Sequence, residues 1–226
     1  MRMKTVAFVP VKLNSERLPM KNIKPFTNGE PLIRYILKTL QQVSAIDEIY
    51  VYCSEESIKA YLPDGIQFLL RDAYYDLPTT KFNEVLQSFA QLKDADTYVL
   101  AHATAPFLSA ASIALGIGKV NREGYDSAFS VQALQEFIWK DGKPFNYSLN
   151  AIPRTQDLEV WMVETCGLYI YRKDLILKEG KRIGKRPYLI QVSKMEACDI
   201  NTEEDFYLAD ALYHYGRMTG GLSWTT

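Results

Sequence analysis

The chain contains little cysteine, and its cysteines are not arranged as a metal or disulfide centre. Three cysteines occur in 226 residues, and Cys53, Cys166 and Cys198 lie far apart without a C-x-x-C pair. This spacing excludes the common zinc and redox motifs and is typical of free thiols in a reducing compartment. We therefore expect free, mostly buried thiols and a cytoplasmic location.

Long apolar runs are also absent from the sequence. No run approaches the roughly 20 residues that a membrane-spanning helix needs. The first fourteen residues, MRMKTVAFVPVKLN, have neither a long apolar core nor a small-residue cleavage site, so we expect neither a membrane segment nor a signal peptide. A net charge of −1 lacks the basic excess of a dedicated nucleic-acid binder, so nucleic acid is not an expected partner.

What the sequence does contain is a regular alternation of strand-like and helical segments. Apolar strand-like runs occupy residues 5–11, 48–54, 66–70 and 97–103. Helical patterns lie between and after them, at residues 31–43, 81–93 and 109–121. This alternation predicts right-handed crossovers and an α/β fold with a mainly parallel sheet flanked by helices.

The pattern changes after residue 125. Two strand-like segments, 126–134 and 136–145, are followed by irregular polar sequence up to residue 156. Strand and helix patterns then resume at residues 165–180, 187–193 and 202–216, and the last of these has acidic residues in its first turn. Because no linker is visible, we predict one domain over residues 1–226 with a small β-rich lobe inserted at residues 125–165.

The loop after the first strand is rich in cations. Lys12, Arg17, Lys21 and Lys24 fall within thirteen positions. The loop has neither the G-x-G-x-x-G nor the Walker pattern, which excludes those two phosphate cradles. In open α/β sheets ligands bind beyond the carboxyl ends of the strands, and converging lysine and arginine side chains can bind phosphate there. The sequence alone leaves two interpretations open, a phosphate site and a solvated basic loop.

Five segments in order are similar to one enzyme family. Residues 9–37, VPVKLNSERLPMKNIKPFTNGEPLIRYIL, resemble the opening of the cytidylyltransferases that activate acidic sugars, roughly IPARxxSxRLPxKN…GxPLI. Residues 69–86, 98–113, 152–171 and 196–210 resemble further motifs of that family. The acylneuraminate (sialic acid) enzymes are more similar than the 3-deoxy-manno-octulosonate enzymes. The resemblance implies a Rossmann-like nucleotidyltransferase fold, CMP transfer from CTP to a sialic-acid-like sugar with release of pyrophosphate, and a homodimer formed through the inserted lobe.

The resemblance also implies which residues bind the nucleotide. Lys21 and Arg17 match the phosphate-binding positions and are the expected catalytic cations, and Lys12 takes the place of a loop arginine. The further residues expected to contact CTP are Asn14, Ser15, Asn22, Arg71, Thr79 and Thr80. Lys24 and the basic run at residues 178–186 are expected to face solvent, outside the site.

A magnesium site is implied by the segment around residue 199. The family motif DID supplies two carboxylates from alternate strand positions, which share a face and suit Mg²⁺. The motif in this chain is Asp199-Ile200-Asn201. Asp199 is therefore the expected metal ligand. Asn201 is either a neutral second ligand or the N-cap of the following helix.

The acceptor contacts implied by the resemblance are His102, Thr104, Arg154 and Gln156. His102 stands where the sialic acid enzymes carry glutamine, and a histidine at a strand end can touch substrate or act as a general base. Arg154 and Gln156 match the family's RQ pair, and arginine suits a carboxylate. Cys166 stands where the family has asparagine. These departures bear on the sugar more than on the nucleotide.

Two alternatives remain open from the sequence. The first keeps CTP and changes the acceptor to another nonulosonate, 3-deoxy-manno-octulosonate or a phosphonate. The second is a non-catalytic nucleotide-binding relative, motivated by the missing carboxylate at residue 201. The retained cationic loop argues against the second alternative, because a degenerate site would be free to lose its cations.

Overall fold

A seven-stranded sheet forms the centre of the computed structural model, which describes residues 2–15 and 17–219. The strands are β1 (Thr5–Val11), β2 (Glu48–Cys53), β3 (Gln67–Leu70), β4 (Thr97–Ala101), β5 (Ser127–Leu134), β8 (Trp161–Arg172) and β9 (Pro187–Gln191). Their order in the sheet is β3-β2-β1-β4-β8-β5-β9. β8 is antiparallel to β4 and β5, and the remaining pairs are parallel. The predicted α/β fold with a mainly parallel sheet is confirmed.

Helices cover both faces of this sheet. They are α1 (Leu32–Gln41), α2 (Phe82–Leu92), α3 (Ala110–Arg122), α4 (Lys173–Glu179) and α5 (Glu203–Thr219). β1 is buried on both faces: Ala7 and Val9 pack in the core cluster that includes α1 and α3, whereas Val6 and Phe8 pack in the cluster that includes α2 and α4. Such double burial explains why its sequence is a continuous apolar run. None of the helices in the described part of the chain has the length and apolarity to cross a bilayer.

A small hairpin lies apart from the main sheet. It consists of β6 (Trp139–Lys140) and β7 (Lys143–Pro144), joined by Asp141 and Gly142, whose φ angles of 52° and 74° are those that tight hairpin turns require. β5 and β8 belong to the main sheet, so the excursion from it spans residues 135–160. β8 begins at Trp161, earlier than the predicted residue 165. The prediction missed the first residues of this strand because they are largely exposed and give no core signal.

Candidate active site

The basic loop is held in shape by its own buried residues. Leu13 and Leu18 are buried, and the backbone N–H of Met20 donates to the Leu13 carbonyl at 3.1 Å. Met20 has a left-handed φ of 56°, which starts the short helical turn Lys21–Ile23. The amide nitrogen of Asn22 donates to the Lys12 carbonyl at 3.1 Å. The loop therefore has a defined conformation that folds back on the end of β1.

This loop forms one wall of a cavity of about 420 Å³, the strand-end cavity. Its lining residues are Pro10, Lys12, Ser15, Arg17, Lys21, Asn22, Phe82, His102, Ala103, Thr104, Cys166, Arg182, Asp199 and Asn201. The cavity lies beyond the carboxyl ends of β1 and β4, where ligands bind in α/β sheets. The structure thus brings together most of the residues predicted from the sequence.

Positive charge dominates the described lining of the strand-end cavity. Four cations, Lys12, Arg17, Lys21 and Arg182, stand against one carboxylate, Asp199. Such an excess of cations on the walls of a cavity attracts a polyanion. A polyphosphate is the ligand class that this charge pattern fits.

Lys21 is the most buried of these cations. Its side chain is 8% exposed, and its Nζ donates to the Ile200 carbonyl at 2.9 Å. Burial lowers the pKa of Lys21, and the Asp199 carboxylate opposes that effect. An anion bound beside Lys21 would favour its charged form in the same way as Asp199 does.

Asp199 and Asn201 form a second wall with Arg17. The Asn201 amide nitrogen donates to Asp199 Oδ2 at 2.6 Å, and Asn201 Oδ1 accepts from Arg17 at 2.6 Å. The cap of α5 is Thr202, whose hydroxyl accepts from Asp205 N–H while the Asp205 carboxylate accepts from Thr202 N–H. The interpretation of Asn201 as the helix cap is therefore wrong, and its side chain belongs to the cavity.

His102 lies directly after β4 with one ring nitrogen buried. Its Nε2 is enclosed and has no partner among the described residues, and the ring lies 5.5 Å from that of Phe82. Burial lowers the pKa of His102 to about 4, and the Arg182 charge acts in the same direction. His102 is therefore neutral at pH 7, where it can accept or donate a hydrogen bond but is a weak general base.

We expect the His102→Gln variant to lose less unfolding free energy than the wild type when the pH falls from 7 to 5. The folded pKa of about 4 lies below the ordinary value of 6.5, so the unfolded chain takes up a proton first as the pH falls. The part of the unfolding free energy that depends on a neutral His102 is fully present above about pH 6.5, and it is lost as the pH falls to about 4. Urea unfolding at pH 7 and pH 5 measures how much unfolding free energy each protein loses, and the loss should be smaller in the variant by at most about 2 kcal/mol. Equal losses in both proteins would contradict the lowered pKa of His102.

Arg71 lies beneath the cavity and does not line it. Its side chain is 4% exposed, and the guanidinium donates to the carbonyls of Val11 and Tyr52 and pairs with Asp76. The Asp76 carbonyl in turn accepts from Lys12 Nζ at 2.6 Å. Arg71 therefore holds the ends of β1 and β2 together, and it acts on the cavity only through Asp76 and Lys12.

The remaining predicted residues lie outside the cavity lining. Asn14 and Thr79 are exposed, and the Thr80 hydroxyl donates to the Tyr74 carbonyl. Gln156 is exposed, on the short helical turn Thr155–Asp157. At the cap of that turn, Arg154 donates two hydrogen bonds to Asp157.

Lys24 and the cysteines also differ from expectation. Lys24 lies over the Phe206 ring and pairs with Glu203 at 3.4 Å instead of facing solvent freely. All three cysteines are free, but Cys166 is exposed and lines the cavity. Its φ of 58° is a left-handed conformation that asparagine adopts more readily than cysteine.

The sequence analysis did not predict every lining residue, and Phe82 and Arg182 are the large side chains that it missed. Phe82 begins α2, and Arg182 belongs to the basic run that was expected to face solvent. Phe82 had no signal, because one apolar residue at the start of a helix is usually part of the core. Arg182 is one of five cations at residues 178–186, and the sequence pattern does not distinguish it from its neighbours.

The curated relatives that match this chain are named cytidylyltransferases. The chain is 25% identical over 214 residues to N-acylneuraminate cytidylyltransferase A of Danio rerio, matching 90% of this chain and 49% of that protein. It is 26% identical to the pseudaminic acid cytidylyltransferase of Campylobacter jejuni, with 93% and 97% covered. This chain thus spans about half the length of the acylneuraminate relatives.

Solved structures share the fold. A CMP:2-keto-3-deoxy-manno-octonic acid synthetase complexed with CTP has a TM-score of 0.71 at 15% identity, covering 94% of this chain and 99% of that chain. A 4-diphosphocytidyl-2C-methyl-D-erythritol synthase of Anaerococcus prevotii has a TM-score of 0.68 at 14% identity, covering 94% and 96%. The family model described as Cytidylyltransferase matches residues 6–217. Because that match covers nearly all of the sequence, the chain belongs to the cytidylyltransferase family.

Proposed function

We propose that this chain transfers CMP from CTP to an acidic sugar of the sialic acid type. The acceptor hydroxyl attacks the α-phosphorus, the bond to the pyrophosphate oxygen breaks, and the hydroxyl proton passes to solvent. The observation that carries the proposal is the convergence of Lys12, Arg17 and Lys21 with Asp199 in one cavity. The acidic-sugar class is supported by relatives named for sialic, pseudaminic and 3-deoxy-manno-octulosonic acids.

The cavity residues divide the work of phosphoryl transfer. Such transfer needs positioned cations more than covalent chemistry, because charge spreads over the phosphate oxygens in the transition state. Lys21 and Arg17 neutralise that charge, and Lys12 binds the remaining phosphates. Ser15 and Asn22 add neutral contacts, and His102 and Thr104 face the acceptor.

Mg²⁺ is the metal that the residues present would suit. Among the described residues no three histidine, cysteine or acidic side chains cluster to hold an ion by themselves. Mg²⁺ often binds through one or two carboxylates together with substrate phosphates, and Asp199 supplies one carboxylate beside the cationic loop. Asp199 would hold the ion, with Asn201 as a neutral neighbour. When bound, Mg²⁺ neutralises phosphate charge.

The excursion from the sheet supports a homodimer. The exposed large apolar side chains of the excursion and of the start of β8 are Phe137, Trp139, Phe145, Leu149, Ile152, Val160, Met162 and Val163. So many exposed apolar residues in one segment indicate an interaction surface. We propose that a second copy covers it, which would also bring Arg154 and Gln156 towards the partner's cavity.

We expect Met162→Glu to convert a dimer into a monomer in sedimentation velocity at micromolar concentration. A charge buried at an interface without a partner is costly, and Met162 is 48% exposed on β8. Leu208→Glu is the matched control, because Leu208 is 58% exposed on α5, a different element from the excursion and the start of β8. A monomeric wild-type chain would exclude the dimer.

Pyrophosphate release tests the proposed function directly. The assay contains CTP, Mg²⁺ and N-acetylneuraminate, with the other three nucleoside triphosphates as controls. Turnover with CTP alone supports the sialic acid type. Turnover only with pseudaminate, 3-deoxy-manno-octulosonate or a phosphonate supports the alternative acceptor, which the departures at His102, Cys166 and Asn201 favour. CTP binding without release for any acceptor would favour a non-catalytic relative.

A further inference from the structure

We propose that Arg182 binds the carboxylate of the acidic acceptor, and that the acceptor occupies a second cavity beside the first. This inference rests on the proposed function. It assigns the acceptor a place and a recognition residue in the chain itself, in addition to any contact from a partner's Arg154.

The second cavity, here the loop cavity, adjoins the strand-end cavity. It measures about 460 Å³ and is lined by Lys81, Phe82, Asn83, Lys181, Arg182 and Ile183. Phe82 and Arg182 line both cavities and therefore stand at the junction between them. The reaction needs room for two substrates, and the strand-end cavity of about 420 Å³ lies in the lower part of the range for one ligand. The loop cavity supplies the additional space.

Arg182 carries a charge that no described carboxylate neutralises by direct pairing. One guanidinium nitrogen donates to the Tyr169 hydroxyl at 3.2 Å, and the guanidinium lies 3.9 Å from the Tyr169 ring centroid and 5.5 Å from that of Phe82. The two aromatic rings lie beside the guanidinium, and the Tyr169 hydroxyl takes one of its donors. The other donors of Arg182 make no hydrogen bond with the described residues. In-plane donors are the ones that bind a carboxylate through two parallel hydrogen bonds.

Tyr169 holds the guanidinium at this position. The Tyr169 hydroxyl donates to Glu164 Oε2 at 2.7 Å and accepts from Arg182. Because Glu164 fixes the direction of the hydroxyl proton, the oxygen lone pair faces Arg182. Tyr169 is thus a positioning residue, and it acts through Arg182.

The loop that carries Arg182 is also fixed. Gly180 has a φ of 66° and ends α4, with its N–H donating to the Ile176 carbonyl at 3.1 Å. The Asn83 amide donates to the Gly180 carbonyl at 2.7 Å, which ties the loop to α2. A preorganised cation loses less entropy when it binds an anion. Arg182 is therefore held in a fixed position that suits anion binding, whereas Lys185 of the same loop is exposed.

The three cations of the β1 loop and Arg182 then serve different substrates. Lys12, Arg17 and Lys21 come from one short loop and match a polyphosphate. Arg182 comes from the loop between α4 and β9 and lines both cavities. The structure assigns the first group to CTP and the second position to the acceptor.

Steady-state kinetics of Arg182→Gln tests this assignment. We expect the KM for N-acetylneuraminate, or for whichever acid the wild type uses, to rise at least about tenfold, the loss typical of a charge-assisted hydrogen bond. The KM for CTP should stay within threefold. The methyl ester of the acid should be much poorer than the acid for the wild type and nearly equal to it for the variant. An unchanged acid-to-ester ratio would overturn the proposal.

Two variants make the result specific to the guanidinium. Lys185→Gln removes one charge from the same loop and should leave all constants within threefold. Arg182→Lys keeps the charge and loses the paired donors, so an intermediate rise in acceptor KM is expected, and it provides a test if the glutamine variant folds poorly. Tyr169→Phe should raise the acceptor KM several-fold without changing that for CTP.

Calorimetric binding of the acid to CTP-loaded protein, with metal chelated, separates the two hypotheses. If the wild type binds the acid and Arg182→Gln binds it at least tenfold more weakly, the Arg182 assignment stands even if no pyrophosphate is released. Turnover with equal acid binding by both proteins would leave the proposed function and overturn the Arg182 assignment. No acid binding by the wild type would overturn both.

Discussion

Lys21→Met is expected to lower kcat/KM for CTP by about a hundred- to a thousandfold, the loss typical when one preorganised charged group is removed from a transition state. Lys21 is buried, so its charge acts in a low-dielectric setting where water screens it weakly. Its bond to the Ile200 carbonyl fixes the ammonium beside Asp199 without neutralising it. Methionine has a similar length and no charge, so packing is kept while the electrostatic contribution is lost.

Burial of Lys21 also decides which substitution is informative. Lys21→Ala would leave a void in the turn as well as removing the charge, so lost activity and lost stability would be mixed. Lys24→Met is the matched control, because Lys24 pairs with Glu203 outside the cavity lining and its loss should change kcat/KM less than threefold. Wild-type kinetics in Lys21→Met, measured by pyrophosphate release over a CTP series, would remove Lys21 from the site.

The fold was predictable because its central strands are buried on both faces. After an initial threonine, residues 5–11 and 97–101 contain no polar or charged side chain except the Tyr98 hydroxyl, a pattern typical of strands covered on both faces. The excursion at residues 135–160 was less readable. Large apolar residues such as Trp139 and Phe145 are exposed there in the single chain, so apolar periodicity carries little information about its structure.

The candidate site was predictable where one loop supplies several cations, and much less so where single residues arrive from distant segments. The close spacing of Lys12, Arg17 and Lys21 in the sequence indicated a cationic site. Arg182 reaches the same cavity from a distant loop, which begins where Gly180 ends α4. Arg71 was assigned to CTP through the family resemblance alone. Nothing in the sequence indicated that its guanidinium donates to the Val11 and Tyr52 carbonyls at the strand ends.

Asp199→Asn is expected to reduce the Mg²⁺-dependent rate about a thousandfold, as anticipated for the loss of a charged metal ligand where no second carboxylate lines the described cavity. The substitution keeps the size of the side chain. Its amide must share the space where Asn201 now donates to Asp199 Oδ2, so unfolding should be measured in parallel. Full activity across a Mg²⁺ titration would refute the metal assignment.

Asn201→Asp is the informative counterpart, because it adds the carboxylate whose place Asn201 holds beside Asp199. Two carboxylates at this separation repel each other, so without metal the variant should lose about 1 kcal/mol of unfolding free energy. With metal present both carboxylates attract the ion, and half-maximal activity should need about tenfold less Mg²⁺, equivalent to one additional charged contact.

The double variant Asp199→Asn with Asn201→Asp keeps one carboxylate and moves it two residues along the chain. If charge alone mattered, the double variant would recover wild-type activity. Because Arg17 already donates to residue 201, we expect it to recover only part of the rate, which would show that the position of the carboxylate at residue 199 is itself required.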